Sequence, residues 1–162
     1  SMGHRRIAYI HGEDYSVVTK ERIATFYQVM EEHNLPVDEA YIKEGLYLEP
    51  EVAEQRTKEL LQMPQPPTCI LYPDDTALIG GVNAIREMEL RIPDDISVAG
   101  YDGTSYSQML YPKATTIQQD TNRIGKEAAS RLISIIEKPK TALMERVIVE
   151  GILIKGQTVG RI

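Results

Sequence analysis

Apolar residues along the chain fall into short unbroken runs, separated by segments in which they recur with a helical period. Ile7-Ala8-Tyr9-Ile10-His11 is such a run, closed by Gly12, and it reads as a strand buried on both faces. Ile23, Phe26, Tyr27 and Met30 then follow at i, i+3, i+4 and i+7, an amphipathic helix that ends at His33-Asn34-Leu35-Pro36. A weaker strand at residues 41–43 precedes a helix opening at Glu49-Pro50-Glu51. Proline costs no hydrogen bond there, and the acids face the positive end of the helix dipole. That helix stops before Met63-Pro64. The third unit is the clearest: Thr68-Cys69-Ile70-Leu71-Tyr72 is a buried strand, Pro73-Asp74-Asp75 stands at its carboxyl end, and a helix covers residues 76–88. Leu78, Val82 and Ile85 share one face of it, while Ala77, Gly80, Gly81 and Ala84 permit close backbone approach to a neighbour. A fourth strand at residues 96–99 leads into Gly100-Tyr101-Asp102-Gly103.

Strands with buried rather than alternating patterns, spaced by helices, predict an α/β fold: a parallel sheet flanked by helices. Ligands of such sheets sit beyond the carboxyl ends of the strands. The groups placed there are Glu13, Asp14, Gly45, Asp74, Asp75 and Asp102. After Tyr111-Pro112 the pattern changes. Thr115-Thr116-Ile117 is a short extended stretch, and Asp120 is positioned to cap a helix with the stripe Ile124, Ala128, Leu132, Ile135 and Ile136. Lys138-Pro139 ends that helix, and residues 146–154 read as a last strand or hairpin.

Composition narrows the class. The chain has 162 residues, 42% hydrophobic and 26% charged, which fits one globular domain or half of a larger protein and argues against a disordered or collagenous chain. No apolar run approaches the ~20 residues that span a bilayer. The single cysteine, Cys69, has no partner, and the N-terminus lacks the apolar core of a signal peptide, so a cytoplasmic location is expected. The net charge is −6, unfavourable for nucleic-acid binding by this chain itself. It is unevenly spread: residues 1–111 hold nine Lys+Arg against nineteen Asp+Glu, and residues 112–162 hold nine against five.

Catalytic constellations are not apparent. His4, His11 and His33 are scattered and share no motif with a nucleophile, and Cys69 lies mid-strand as a packed small hydrophobe. No spacing suits zinc or calcium, and no glycine loop suits a nucleotide phosphate. The expectation is a non-enzyme without cofactor or metal. Asp74-Asp75 admits three readings: a helix N-cap, part of a phosphoacceptor cluster completed by Glu13-Asp14, or a polyol-binding carboxylate. Lys113 is poorly placed for the phosphoacceptor reading. Arg22 is either a surface cation or a planar donor fork turned back toward the crevice.

Taken together, the motifs resemble one family. Gly3-His4-Arg5-Arg6-Ile7-Ala8-Tyr9-Ile10 looks like the opening of the C-terminal subdomain of LacI/GalR-type transcriptional regulators. Pro93-Asp94-Asp95-Ile96-Ser97-Val98-Ala99-Gly100-Tyr101-Asp102 is nearly the whole of the family's signature, and Leu110-Tyr111-Pro112-Lys113-Ala114-Thr115-Thr116-Ile117 resembles its proline–threonine–threonine stretch. The resemblance implies a type I periplasmic-binding-protein fold that holds a small effector, usually a sugar or nucleobase, between two Rossmann-like subdomains. It carries effector binding onto Arg22, Asp75, Asp102 and Gln119. Thr25, Asp74 and Gln157 depart from the family's usual Gly, Asn and Ser, which leaves the effector's identity open. Residues 1–114 then correspond to the C-terminal subdomain and residues 115–162 to the crossover helix and terminal strands that link to the first subdomain. A full regulator carries a helix-turn-helix ahead of the Gly-His-Arg segment, so operator DNA is expected to be a partner only through that other part. A homodimer is expected, through the helices near residues 50–63 and 76–88 or by exchange of the C-terminal helix. A solute-binding transport protein and a receiver-like phosphoacceptor are the alternatives.

Overall fold

The computed structural model describes residues 2–139 and 145–162. Six strands, β1 (Ile7–His11), β2 (Ile42–Glu44), β3 (Cys69–Leu71), β4 (Ser97–Asp102), β5 (Thr115–Gln118) and β6 (Ile152–Ile154), form one sheet in the order β2-β1-β3-β4-β5-β6. The first five are mutually parallel; the patterns predict this for the first four, and β5, expected only as an extended stretch, joins them beside β4. The sixth differs, since β6 pairs antiparallel with β5, Ile117 opposite Leu153. The chain leaves the sheet after Gln118 and comes back to the same end, so its returning strand has to run the other way.

Four helices connect the strands: α1 (Val17–Glu32), α2 (Pro50–Leu61), α3 (Asp75–Glu87) and α4 (Thr121–Glu137). From β1 the chain moves to one side to make β2, then passes back to make β3 on the other. With right-handed crossovers, this reversal puts α1 on one face of the sheet and α2 and α3 on the opposite face. The α2–α3 face holds the core. Ala8, Ile10, Ile70 and Val98 point into it from the strands, and Leu60, Leu78 and Ile85 meet them from the helices. The small residues of α3 act as expected. A Cβ on Gly80 would lie 1.9 Å from the Pro50 carbonyl oxygen of α2, and one on Gly81 would lie 2.0 Å from the Tyr72 hydroxyl.

Boundaries shift where side chains compete for the backbone. Asp74 caps α3 from outside, accepting from the Ala77 N–H at 2.8 Å, so the helix begins at Asp75. β4 runs through Asp102 because β5 pairs with it as far as Gln118. After β6 the tail returns along the sheet: the Val98 N–H donates to the Thr158 carbonyl at 2.9 Å, and the Thr115 N–H to the Thr158 hydroxyl at 2.8 Å. α4 behaves unlike the other three helices, having no buried residue.

Candidate functional site

The reversal of strand order between β1 and β3 makes a crevice at their carboxyl ends, because the loops leaving them diverge. Arg22, in the second turn of α1, reaches back into this crevice. Its Nη1 donates to the Pro73 carbonyl at 2.9 Å, and its guanidinium carbon lies 3.8 Å from the Tyr101 ring centroid and 5.9 Å from that of Tyr47. Tyr47 is fixed in turn by a 3.0 Å hydrogen bond between its hydroxyl and Thr19 Oγ1. It presses on Gly12, where a Cβ would stand 2.1 Å from the ring. Beneath the arginine, Tyr9 stacks on Phe26 at 5.4 Å, and burial pushes its hydroxyl up to about 12 despite the opposing pull of Arg22.

Asp102 faces this group from the end of β4. Its φ of 108° lies in a region that costs a residue other than glycine about 1–3 kcal/mol. The Gln119 side-chain amide donates to its carboxylate, and the Gln119 backbone N–H donates to its carbonyl at 3.2 Å. Burial raises the Asp102 carboxyl above the usual carboxylate range. The Gln119 amide opposes that shift, Asp74 and Asp75 add to it, and Arg22 lowers it. The result is an aromatic face with a cation on it, opposite a carboxylate and an amide. Such a set offers both donors and acceptors to neighbouring hydroxyls of a ring.

Of the expected site residues, the fold brings Arg22, Asp102 and Gln119 together. Asp75 lies behind them, fully buried, with both oxygens taken: Oδ2 accepts from the Thr104 N–H at 2.7 Å and the Thr104 hydroxyl at 2.9 Å, and Oδ1 accepts from the Thr116 hydroxyl at 2.7 Å. Asp74 is also occupied, by Ala77 and by the Leu48 N–H at 2.9 Å. Asp14 lies at the β1–β2 end, its N–H donating to Glu44 Oε1 at 3.2 Å and its carboxylate 3.5 Å from His11. Glu13 accepts the Ser16 N–H on its backbone carbonyl, and Gly45 joins the two strands through its N–H to the His11 carbonyl at 2.8 Å. Neither aspartate of the Asp74–Asp75 pair therefore presents a free carboxylate as a phosphoacceptor would. Two aromatic members of the site, Tyr47 and Tyr101, escaped the reading of the sequence. Tyr101 was within reach of it, because period-two alternation puts 97, 99 and 101 on one face of β4. Tyr47 sits in an irregular loop and gave no signal.

Two of the three histidines have hydrogen-bonded rings: His4 bonds Thr68 Oγ1 and the Gly160 carbonyl, and His11 bonds the Gly12 carbonyl. Burial pushes the Cys69 thiol up to about 12, far from a nucleophile's range. Among the described residues, no three His, Cys, Asp or Glu side chains come together in a way that would hold a metal ion. A concavity of about 650 Å³ opens beside the crevice rather than centred on it. It starts beneath Arg22 and Tyr101 and runs down the open sheet face beside α1.

Comparison with known proteins places this architecture. The periplasmic binding protein-like domain matches residues 1–159. The chain belongs to that family. It is 34% identical, over 86% of its length, to a probable HTH-type transcriptional repressor, ExuR, of Bacillus subtilis, and it spans 41% of that protein. Among solved structures it is similar to a CelR transcriptional regulator–cellobiose complex (TM-score 0.88, 25% identity, covering 96% of this chain and 47% of that one). A dimeric Lac repressor with a C-terminal deletion superposes equally well (TM-score 0.89, 29% identity, 98% of this chain and 57% of that one). These relatives are transcriptional repressors and regulators, and the α/β fold expected from the strand pattern is theirs. Among the described residues no helix is long and apolar enough to cross a membrane.

Proposed function

We propose that this chain is the effector-sensing and dimerising part of a LacI/GalR-type repressor, and that its effector is a sugar held by Arg22, Asp102 and Gln119. The observation that carries the reading is the Arg22 guanidinium held over the Tyr101 ring at the reversal of strand order, with the Asp102–Gln119 pair at the end of β4. A ring with adjacent hydroxyls satisfies such a set: hydroxyls donate to the carboxylate and accept from the guanidinium. The cellobiose complex of a structural relative supports the same chemistry. Asp75, in this reading, holds the loop that carries Asp102 in place instead of touching the effector. Residues 115–162 lead to a second subdomain that supplies the other wall, and contact with operator DNA belongs to a part of the repressor outside this chain.

Titration calorimetry against a panel of mono- and disaccharides, cellobiose included, and of nucleobases tests the proposal. At least one sugar should bind, and Arg22→Ala or Asp102→Ala should each cost about 1–3 kcal/mol, because a hydrogen bond to a charged group is lost. Affinity unchanged in both variants would remove these residues from the site, and heat from nucleobases alone would replace the sugar.

A further inference from the structure

Tyr9 is 6% exposed, yet its hydroxyl has no hydrogen-bond partner among the described residues. Buried phenols ordinarily find one. The other two buried tyrosines of the described chain do: the Tyr41 hydroxyl donates to the Gln65 carbonyl at 2.6 Å, and that of Tyr72 bonds Thr57 Oγ1 at 2.8 Å. The place of the Tyr9 hydroxyl follows from α1. Arg22 and Phe26 are one turn apart on the same face of that helix. The Tyr9 ring lies against Phe26, with centroids 5.4 Å apart, and its hydroxyl end comes within electrostatic reach of Arg22, Tyr47 and Tyr101. The unpaired group therefore stands among the crevice residues. Burial pushes this hydroxyl up to about 12, with Arg22 opposing and Tyr47 and Tyr101 adding, so at neutral pH it keeps its proton and can donate it. Arg22 beside it is a donor only, and among the described residues a single one of its N–H groups is taken, on Nη1 by the Pro73 carbonyl at 2.9 Å.

We propose that Tyr9 is a further effector-contacting residue, whose hydroxyl joins the unused N–H groups of Arg22 in holding an effector oxygen that bears no hydrogen: a ring oxygen, a carbonyl or a carboxylate. Two adjacent donors occupy both lone pairs of one oxygen, which suits an oxygen with no hydrogen of its own to place. The acceptor side of the site is separate, at Asp102 on the end of β4. Tyr9 thus orients the effector, because only one edge of a ring can meet the donors while its hydroxyls meet the carboxylate. It rests on the crevice being the effector site, though not on the effector being a sugar.

Tyr9→Phe removes the hydroxyl and keeps the ring on Phe26. Titration calorimetry of this variant with glucose, glucuronate and uracil, beside urea unfolding of the ligand-free chain, tests the role. A probe that binds the parent should bind the variant about threefold to tenfold more weakly, the loss of one hydrogen bond. The unfolding midpoint should stay or rise, since no hydrogen bond within the described chain is broken. A loss confined to glucuronate identifies a carboxylate, and an equal loss on both sugars identifies the ring oxygen. A loss on uracil alone identifies a carbonyl, which keeps Tyr9 in the site and removes the sugar. Affinity unchanged in Tyr9→Phe but lowered in Arg22→Ala overturns the role of Tyr9 and leaves the crevice as the site. Affinity unchanged in both, or no heat from any probe, overturns both. A midpoint that falls makes the hydroxyl a structural group and overturns the proposal whatever the affinity does.

Discussion

Asp74 and Asp75 are adjacent carboxylates with divided tasks, and the division follows from helix geometry. Asp74, at the cap, turns its oxygens to the α3 amide of Ala77 and to the Leu48 loop, while Asp75, one step on, points across to β5 and the loop after β4. Three donors converge on the buried Asp75, two of them hydroxyls that can rotate and one a backbone N–H that cannot. Asp75→Ala should therefore lower stability by about 3–4 kcal/mol, seen as a lower midpoint in urea unfolding, whereas Asp75→Asn, which keeps one acceptor, should lose less. Asp102 sets a pH dependence of its own. Its carboxyl is raised in the folded chain, so the folded state binds the proton more tightly than the unfolded one. The stability this contributes is full below the ordinary value of 3.8 and is lost as pH rises through the folded value. Asp102→Asn, which stays neutral, should become more stable relative to the parent as pH climbs from 3.5 toward about 7, and a gap that is flat across that range would contradict the shift.

Among the helices, the same substitution should act with opposite signs in α3 and α4. Gly80 lies where α3 meets the Pro50 carbonyl of α2, and an added Cβ at 1.9 Å from backbone oxygen must push the two helices apart. Gly80→Ala should destabilise by about 1–3 kcal/mol or more, the range for an overfilled contact. A Cβ on Gly125 of α4 meets nothing within 4 Å. Gly125→Ala should add roughly 0.5–1 kcal/mol of local helix stability, visible as greater helicity in far-ultraviolet circular dichroism. The apolar stripe of α4 was expected from its spacing of isoleucines and leucine, and in this chain Ile124, Leu132, Ile135 and Ile136 are exposed.

For the molecule as a whole, the uneven charge matters more than the net value. An acidic body does not attract phosphate, and the basic α4 segment is short, so the chain should give no sequence-specific mobility shift with DNA at about 150 mM salt. Weak retardation at low salt that disappears on raising it is the expected behaviour, and a specific shift that survives would contradict the proposal that DNA contact lies outside this chain. The tail binds the ends of the molecule together. The Ile162 N–H donates to the Met2 carbonyl at 3.0 Å, and Gly160 is bonded by His4 and to Ser97.

The local features were legible because each rests on neighbours in the chain. The buried runs of β1, β3 and β4, the amphipathic face of α3, the proline at the start of α2 and the cap of α4 all depend on spacings of a few residues, and these spacings imply the α/β class. Arg22 and Asp102 were also within reach as candidates, since Asp102 stands at a strand's carboxyl end and Arg22 on the helix that follows one, whereas Gln119 entered only through the family resemblance. The partners of each carboxylate were not. Asp75 meets Thr104 and Thr116, 29 and 41 residues away, and no local pattern distinguishes a carboxylate that faces a ligand from one saturated by distant hydroxyls. Tyr47 enters the site from a loop without periodicity. The direction of β6 and the exit of α4 depend on where the chain leaves and rejoins the sheet. They are long-range outcomes of strand pairing, decided when β5 docks on β4 and Gln119 locks onto Asp102.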